Sequence, residues 1–433
     1  MVKNKKKFFS ALVIFSLVGQ IAWVVENMYF NVFIYEMFNA SSTDIALMVM
    51  ASAVSATLTT ILIGALSDKV GRRRAFISGG YILWGVSILS FALIRTDTVG
   101  AIFPTASSVS AICITLVIVM DCVMTFFGSS ANDAAFNAWL TDMTDSTDRG
   151  AAEGINSMMP LVAILAVFGG FMGFDLGSSQ SWTTIFIIIG AAVVLIGVLG
   201  LFIIESPEIK TEDNRNYLAN IVYGFRYSVI KENPLLYITL AAFALLGISI
   251  QIFMPYLILY YTESLKLENY VLIMAPAIIL ASVFTALWGR AYDKLGFKNS
   301  TIPAIATLGI GYIILFFSRS TPLVFVGSLL MMCGYLSSMA VFGAAIRDNT
   351  PKNRSGMFQG LRIIAQVLIP GVIGPMIGDA MLKDAEKITN SDGTLSFIPN
   401  ANIFLGALLA LIPLAIVLTL LFIYQNKSAK EDK

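Results

Sequence analysis

The chain has 433 residues, 57% hydrophobic and only 13% charged, with a formal net charge of +1. A soluble globular protein carries about 25% charged residues, so this chain has too little polar surface for a water-soluble enzyme, and its charge gives no footprint for nucleic acid. It contains no histidine, which excludes a histidine base, a Ser-His-Asp triad, a histidine zinc site and a histidine proton relay.

A membrane-spanning helix needs about 20 mostly apolar residues, and charge-free stretches of roughly that length recur along the whole chain. Phe8 to Val25 is the first. Lys3, Lys5, Lys6 and Lys7 before it resemble the start of a signal peptide, but the apolar run is too long and no Ala-x-Ala site follows. Glu26 and Asn27 interrupt its far end. Ile45 to Ser67, Ala75 to Ile94 and Thr98 to Met120 come next, the last continuing past Asp121 to about Trp139. Gly154 to Phe174 and Leu176 to Ile204 complete a first set of six. The longest polar break, Glu205 to Glu232, places Leu218, Ile221, Val222, Phe225 and Val229 on one helical face. It reads either as an amphipathic helix on the membrane surface or as a plain linker helix. The second set is Asn233 to Thr262, Asn269 to Gly289, Asn299 to Ser318, Ser320 to Ile346, Ile363 to Gly378 and Ile403 to Tyr424. No run alternates as a barrel strand would. The expected fold is therefore an all-α membrane protein of twelve transmembrane helices: a half over 1–204, a linker over 205–235 and a half over 236–433. Cys113, Cys122 and Cys333 sit singly in apolar runs and read as core residues.

Orientation follows from Lys and Arg placement. Of 28 such residues, Arg95, Lys266, Arg319, Lys383 and Lys387 fall on one side and the other 23 on the side of the N-terminus. Both termini are expected in the cytoplasm, in the cell membrane.

The two sets repeat one another. Gly64, Asp68, Lys69 and Gly71 after span 2 match Gly289, Asp293, Lys294 and Gly296 after span 8. Asp142, Thr144, Gly150 and Gly154 after span 4 match Asp348, Thr350, Gly356 and Gly360 after span 10. Internal duplication with a central site is a recurrent plan of secondary transporters. The run Gly64-Ala-Leu-Ser-Asp68-Lys69-Val-Gly71-Arg72-Arg73-Arg74 resembles the loop 2–3 motif of the major facilitator superfamily. That resemblance implies two pseudo-symmetric six-helix halves around a central cavity. Arg72-Arg73-Arg74-Ala-Phe and the stretch Asp142 to Gly150 are similar to the sucrose and glycoside-pentoside-hexuronide symporter branch. Members of that branch carry acids on helix 2 that bind the coupling cation. Ile45 to Ser67 has no carboxylate, so that site does not carry over. Span 5 has only fragments, such as Pro160, Gly169 and Gly170, of the Gly-Pro-rich motif of the superfamily's drug antiporters.

By the resemblance, Asp68 would hold the inner gate by facing the start of helix 11, whose dipole favours an anion. Gly71 would permit a tight turn, Asp142 would partner Arg72, and Asp293 would repeat the role of Asp68. Arg362, at the cytoplasmic end of span 11, reads as a gate residue or as a partner for an anionic substrate, with the gate favoured.

Ionisable groups at membrane depth are costly and are functional candidates. Glu26 lies past the middle of span 1, where Gln20, Trp23, Asn27 and Asn31 share a face. Asp121 lies near the middle of span 4, where Thr125, Ser129 and Asn132 recur at helical spacing with Asp133 beside them. The superfamily arrangement would let both acids line one water-filled pocket, binding a proton or sodium; the plainer reading is a structural acid bonded to neighbouring amides or hydroxyls. The second half offers Gln251, Gln366, Tyr335, Ser337 and Ser338. Tyr256, Tyr260 and Tyr261 at the end of span 7 read as interface anchors. Pro255, Pro276 and Pro370 imply kinks.

Acids with amides, hydroxyls and aromatic rings suit a sugar, and equally a lipophilic cation held by cation–π contact. The favoured function is a cation-coupled symporter, driven by protons or sodium, of a small polar solute such as a sugar or glycoside, working by alternating access. The alternative is a proton-coupled exporter of amphiphilic drugs or lipids. The expected partners are a small-molecule substrate, the coupling ion and the bilayer, with no nucleic acid and no cofactor, and the chain is expected to act as a monomer.

Overall fold

The computed structural model describes residues 5–144, 149–205, 224–267, 269–350, 360–389 and 395–431. The side chain of Asp68, and Leu218, Ile221, Val222 and Gln359, lie outside the described residues. Low charge and high hydropathy leave helix as the way to satisfy every backbone group in lipid, and the chain is helical nearly throughout. The helices in chain order are α1 (Lys5–Phe38), α2 (Ser42–Val70), α3 (Arg73–Phe91), the short α4 (Thr96–Ile102), α5 (Val109–Met143), α6 (Arg149–Phe171) and α7 (Ser179–Ile203). The rest are the short α8 (Tyr227–Glu232), α9 (Pro234–Ser264), α10 (Val271–Phe317), α11 (Thr321–Asn349), α12 (Gly360–Met381) and α13 (Asn402–Glu431). A small hairpin, β1 (Lys387–Thr389) with β2 (Leu395–Phe397), precedes α13.

Eleven of these helices are long and apolar enough to cross a membrane. One of them, α10, is 47 residues long and has non-helical backbone at Gly296 (φ 75, ψ 177). Its two arms, 271–295 and 297–317, each have spanning length, which gives twelve spans among the described residues.

Two expected boundaries are corrected. The first helix does not stop at Glu26 and Asn27; it continues to Phe38 through a π-helical turn, Val25–Tyr29. The extra residue in that turn re-aims the side chains around Glu26, and the following Met28 to Phe38 are apolar enough to extend the span. The fourth span starts at Val109 rather than Thr98, because Pro104 and the serines after it break the chain and Ser108 caps the new helix by accepting from the Ala111 amide at 3.2 Å. A criterion based on charge alone is blind to such turn chemistry.

The chain divides into two compact units, Met1–Arg215 with Thr389–Ser396, and Asn216–Ile388 with Phe397–Lys433. In the first unit α3 packs along α7, α1 along α6, and α2 along α5. Aromatic edges lock these helices, with ring centroids 4.9 Å apart for Phe15–Tyr81 and for Phe33–Phe186, and 4.8 Å for Phe30–Phe91. In the second unit α9 packs on α12 and α13, and α10 on α11. Tyr256, Tyr260 and Tyr261 are fully buried there. The Tyr261 hydroxyl pairs with Ser328 at 2.6 Å, and Tyr256 meets Phe397 edge-on. They are core residues of this unit, not interface anchors; a 3₁₀ turn at Met254–Tyr256 and a π turn at Tyr260–Ser264 turn them inward.

The duplication also shows in the backbone. Among the described residues, the left-handed glycines are Gly71 (φ 68) and Gly296 (φ 75), and the left-handed non-glycine residues are Asn39 and Lys266. The pairs lie 225 (296 − 71) and 227 (266 − 39) residues apart. In the first unit α1 and α2 end at Asn39 and Gly71; in the second, Lys266 follows the end of α9 by two residues and Gly296 divides α10.

Candidate functional site

Glu26 of α1, only 6% exposed, is reached by hydroxyls from two other helices. Ser52 of α2 donates to its Oε1 at 2.6 Å, and Thr125 of α5 donates to the same oxygen at 2.8 Å. Ser52 and Thr125 also lie 2.9 Å from one another. Asp121, one turn before Thr125, is 2% exposed and lies within reach of the Ser52 hydroxyl and of the charge on Glu26. Glu26 Oε2 and Asp121 Oδ1 have no hydrogen-bond partner among the described residues. No lysine or arginine pairs with either acid among those residues. Two desolvated carboxylates side by side cannot both carry unopposed charge, since each would cost several kcal/mol. The chemistry available is the binding of a proton or a hard cation, with hydroxyl oxygens already converging on the spot.

Toward the Lys5 end of α1 a second layer follows. Trp23 Nε1 donates to Asn132 Oδ1 at 3.4 Å, and Asn132 Nδ2 donates to the Tyr81 hydroxyl at 2.7 Å. Gly128 makes room for it: a Cβ there would lie 2.8 Å from the Trp84 ring and 2.9 Å from that of Trp23. Asn27 is exposed and donates to the Trp23 carbonyl at 2.8 Å. The arrangement brings Trp23, Glu26, Asp121 and Thr125 into one cluster and leaves the Asn27 side chain at its rim. Sequence reasoning missed Ser52 and Tyr81. Ser52 is one of several small hydroxyls on α2, and nothing in the sequence singles out the one that faces α1.

Gln251, Gln366, Arg362 and Asp293 belong to the second unit. Gln251 of α9 sits where α12 crosses closely, beneath Gly374. Gln366 is exposed on a π turn of α12, Ile364–Leu368, with Arg362 Nε 3.4 Å from its Oε1. Asp142 pairs with Arg73, not with the expected Arg72. Arg73 Nε lies 2.9 Å from Asp142 Oδ2, and its NH1 group also donates to Ser67. Arg72 precedes the first turn of α3 and is exposed, whereas Arg73 begins the helix and is buried on its packing face. In the second unit Asp293 is exposed, and its neighbour Tyr292 donates to Asp348 at 2.7 Å. The repeated acids Asp142 and Asp348 are thus each tied to another helix, by different partners.

The sequence profile of the Major Facilitator Superfamily matches residues 8–375. The chain belongs to the Major Facilitator Superfamily. It is a membrane transporter by family, not an enzyme. No curated protein sequence matches it significantly. Among solved structures it is similar to a variant of the nucleoside transporter NupG, with a TM-score of 0.74 at 12% identity over 95% of this chain and 99% of that one. A bacterial homolog of the human lysosomal transporter Spinster follows at 0.70 and 15%, covering 98% of each chain. The xylose transporter XylE from E. coli gives 0.67 and 14%, over 94% of this chain and 98% of that one. At such identities the likeness concerns the fold.

Proposed function

We propose that this superfamily member is a cation-coupled symporter of a small polar solute, with a pentose or a pentose-bearing solute as the first class to try. The observation that carries the reading is the buried pair Glu26 and Asp121, each with an orphaned oxygen and neither with a basic partner among the described residues. Such a pair must be neutralised by a bound ion whenever it is dry, which is what coupling to an ion gradient requires. Trp23, Asn27, Asn132 and Thr125 add the ring, amides and hydroxyl that a sugar would use, with Gln251 and Gln366 as candidates from the second unit. The fold is shared with proteins described as a xylose transporter, a D-xylose-proton symporter and a nucleoside transporter, which supports this choice of substrate class.

On this reading both termini are cytoplasmic, the chain acts as a monomer, and the inner gate comprises Asp68, Arg72, Asp142, Asp293 and Arg362, to which the buried Arg73 is added. Uptake of labelled D-xylose and of a pyrimidine nucleoside into proteoliposomes, under an imposed pH or sodium gradient, tests it. Asp121→Asn is expected to abolish uphill accumulation and keep counterflow, and Glu26→Gln to do the same or to raise the apparent substrate constant. Accumulation as in the unaltered protein by both single variants would refute the pair as the coupling site.

A further inference from the structure

A third carboxylate stands on the same face of α5. Asp121, Thr125, Ser129 and Asp133 recur every four residues, about 6 Å apart along the axis, so that acids end the row and hydroxyls fill it. Thr125 donates to Glu26, and Ser129 donates to Asp133 Oδ2 at 2.9 Å. Burial changes at the end of the row. Asp121, Thr125 and Ser129 are buried, while Asp133 is half-buried, so Asp133 is the more exposed acid of the row.

The backbone is built around the same residues. Glu26 lies on the π turn of α1, and Asp133 lies on a longer π segment of α5, Ser129–Phe136. Such turns re-aim side chains and cluster at functional sites. Trp23, two residues before the first of these segments, donates to Asn132 within the second. The titratable groups facing Asp133 are Glu26 from α1 and Tyr81 from α3, both within electrostatic reach. From α2 the row meets the hydroxyl of Ser52, while Ser55 donates to the Cys122 carbonyl beside it. No lysine or arginine pairs with Asp133 among the described residues.

We infer that Asp133 is the relay through which the buried Glu26–Asp121 pair exchanges a proton with water. The inference rests on the reading of that pair as the coupling site and makes the ion a proton. The Asp133 carboxylate takes a proton from solvent and passes it to an ionised member of the pair, regaining its own charge as the other loses it; release runs in reverse. Ser129 positions the Asp133 carboxylate for both directions.

The test needs no substrate. The purified full chain in lipid nanodiscs is subjected to a rapid pH jump and followed by infrared difference spectroscopy at the carbonyl stretch of buried protonated carboxyls. The band of the pair is identified by its loss in Glu26→Gln and Asp121→Asn. Asp133→Asn is expected to keep the final amplitude of that band and to slow its appearance at least tenfold, with Asp133→Glu restoring the rate. Ser129→Ala, which keeps every carboxylate, is expected to slow it as well and serves if Asp133→Asn does not fold. An unchanged rate in a folded Asp133→Asn would overturn the relay and leave the coupling pair standing. A chain with no such band would overturn the pair as a proton site and the relay with it. Loss of the band on adding sodium at constant pH would identify sodium as the ion and overturn the relay.

Discussion

Arg73 and Asp142 carry the clearest consequence at the scale of single residues. Arg73 is 4% exposed, and an arginine so placed needs its charge matched by a carboxylate and its donors filled. Asp142→Asn removes the charge match and is expected to destabilise the first unit by about 1–3 kcal/mol, read as a lower midpoint of thermal unfolding in detergent. Arg72→Ala, at an exposed position, is expected to change stability by no more than about 0.5 kcal/mol. Equal losses in the two variants would remove the structural distinction between the neighbouring arginines. The sequence presents three consecutive arginines as equals. Only the helical start at Arg73 decides which of them is buried, because one residue along a helix rotates a side chain by about 100°.

At the scale of elements, the break in α10 rests on one residue. Gly296 has φ 75 and ψ 177, a conformation essentially reserved for glycine. A Cβ there would meet no atom within 4 Å, so the cost of replacing it is conformational alone. Gly296→Ala is expected to destabilise the protein by about 1–3 kcal/mol, checked by thermal unfolding beside a control such as Gly343→Ala, which is helical and also has open space around it. A variant as stable as the control would show that the backbone at this break relaxes freely. The apolar lengths of the helices are legible in composition. The π turns in α1, α5, α9 and α12 are not, since each depends on which neighbouring helix holds the extra residue in place.

At the scale of the whole molecule, the distribution of Lys and Arg predicts a single orientation. Lys387 is exposed on β1 and belongs to the external side on that reading, while Lys294, exposed near Gly296, belongs to the cytoplasmic side. With Cys113, Cys122 and Cys333 replaced, an impermeant maleimide added to intact cells is expected to label Lys387→Cys and not Lys294→Cys. The reverse pattern would invert the topology and place the termini outside.

The all-helical membrane class, the twelve spans, the duplication and the family are legible in the chain alone, because each of these is written in hydropathy, spacing and local motif. The sequence also puts Glu26 and Asp121 forward, since a carboxylate inside an apolar run is conspicuous without any structure. The tertiary structure alone decided that Ser52 and Thr125 converge on one oxygen of Glu26, that Arg73 rather than Arg72 meets Asp142, and that the three tyrosines of α9 are core residues. These facts depend on the rotation of each helix about its axis and on the helix packed against it, and a residue's own sequence neighbours do not fix either one.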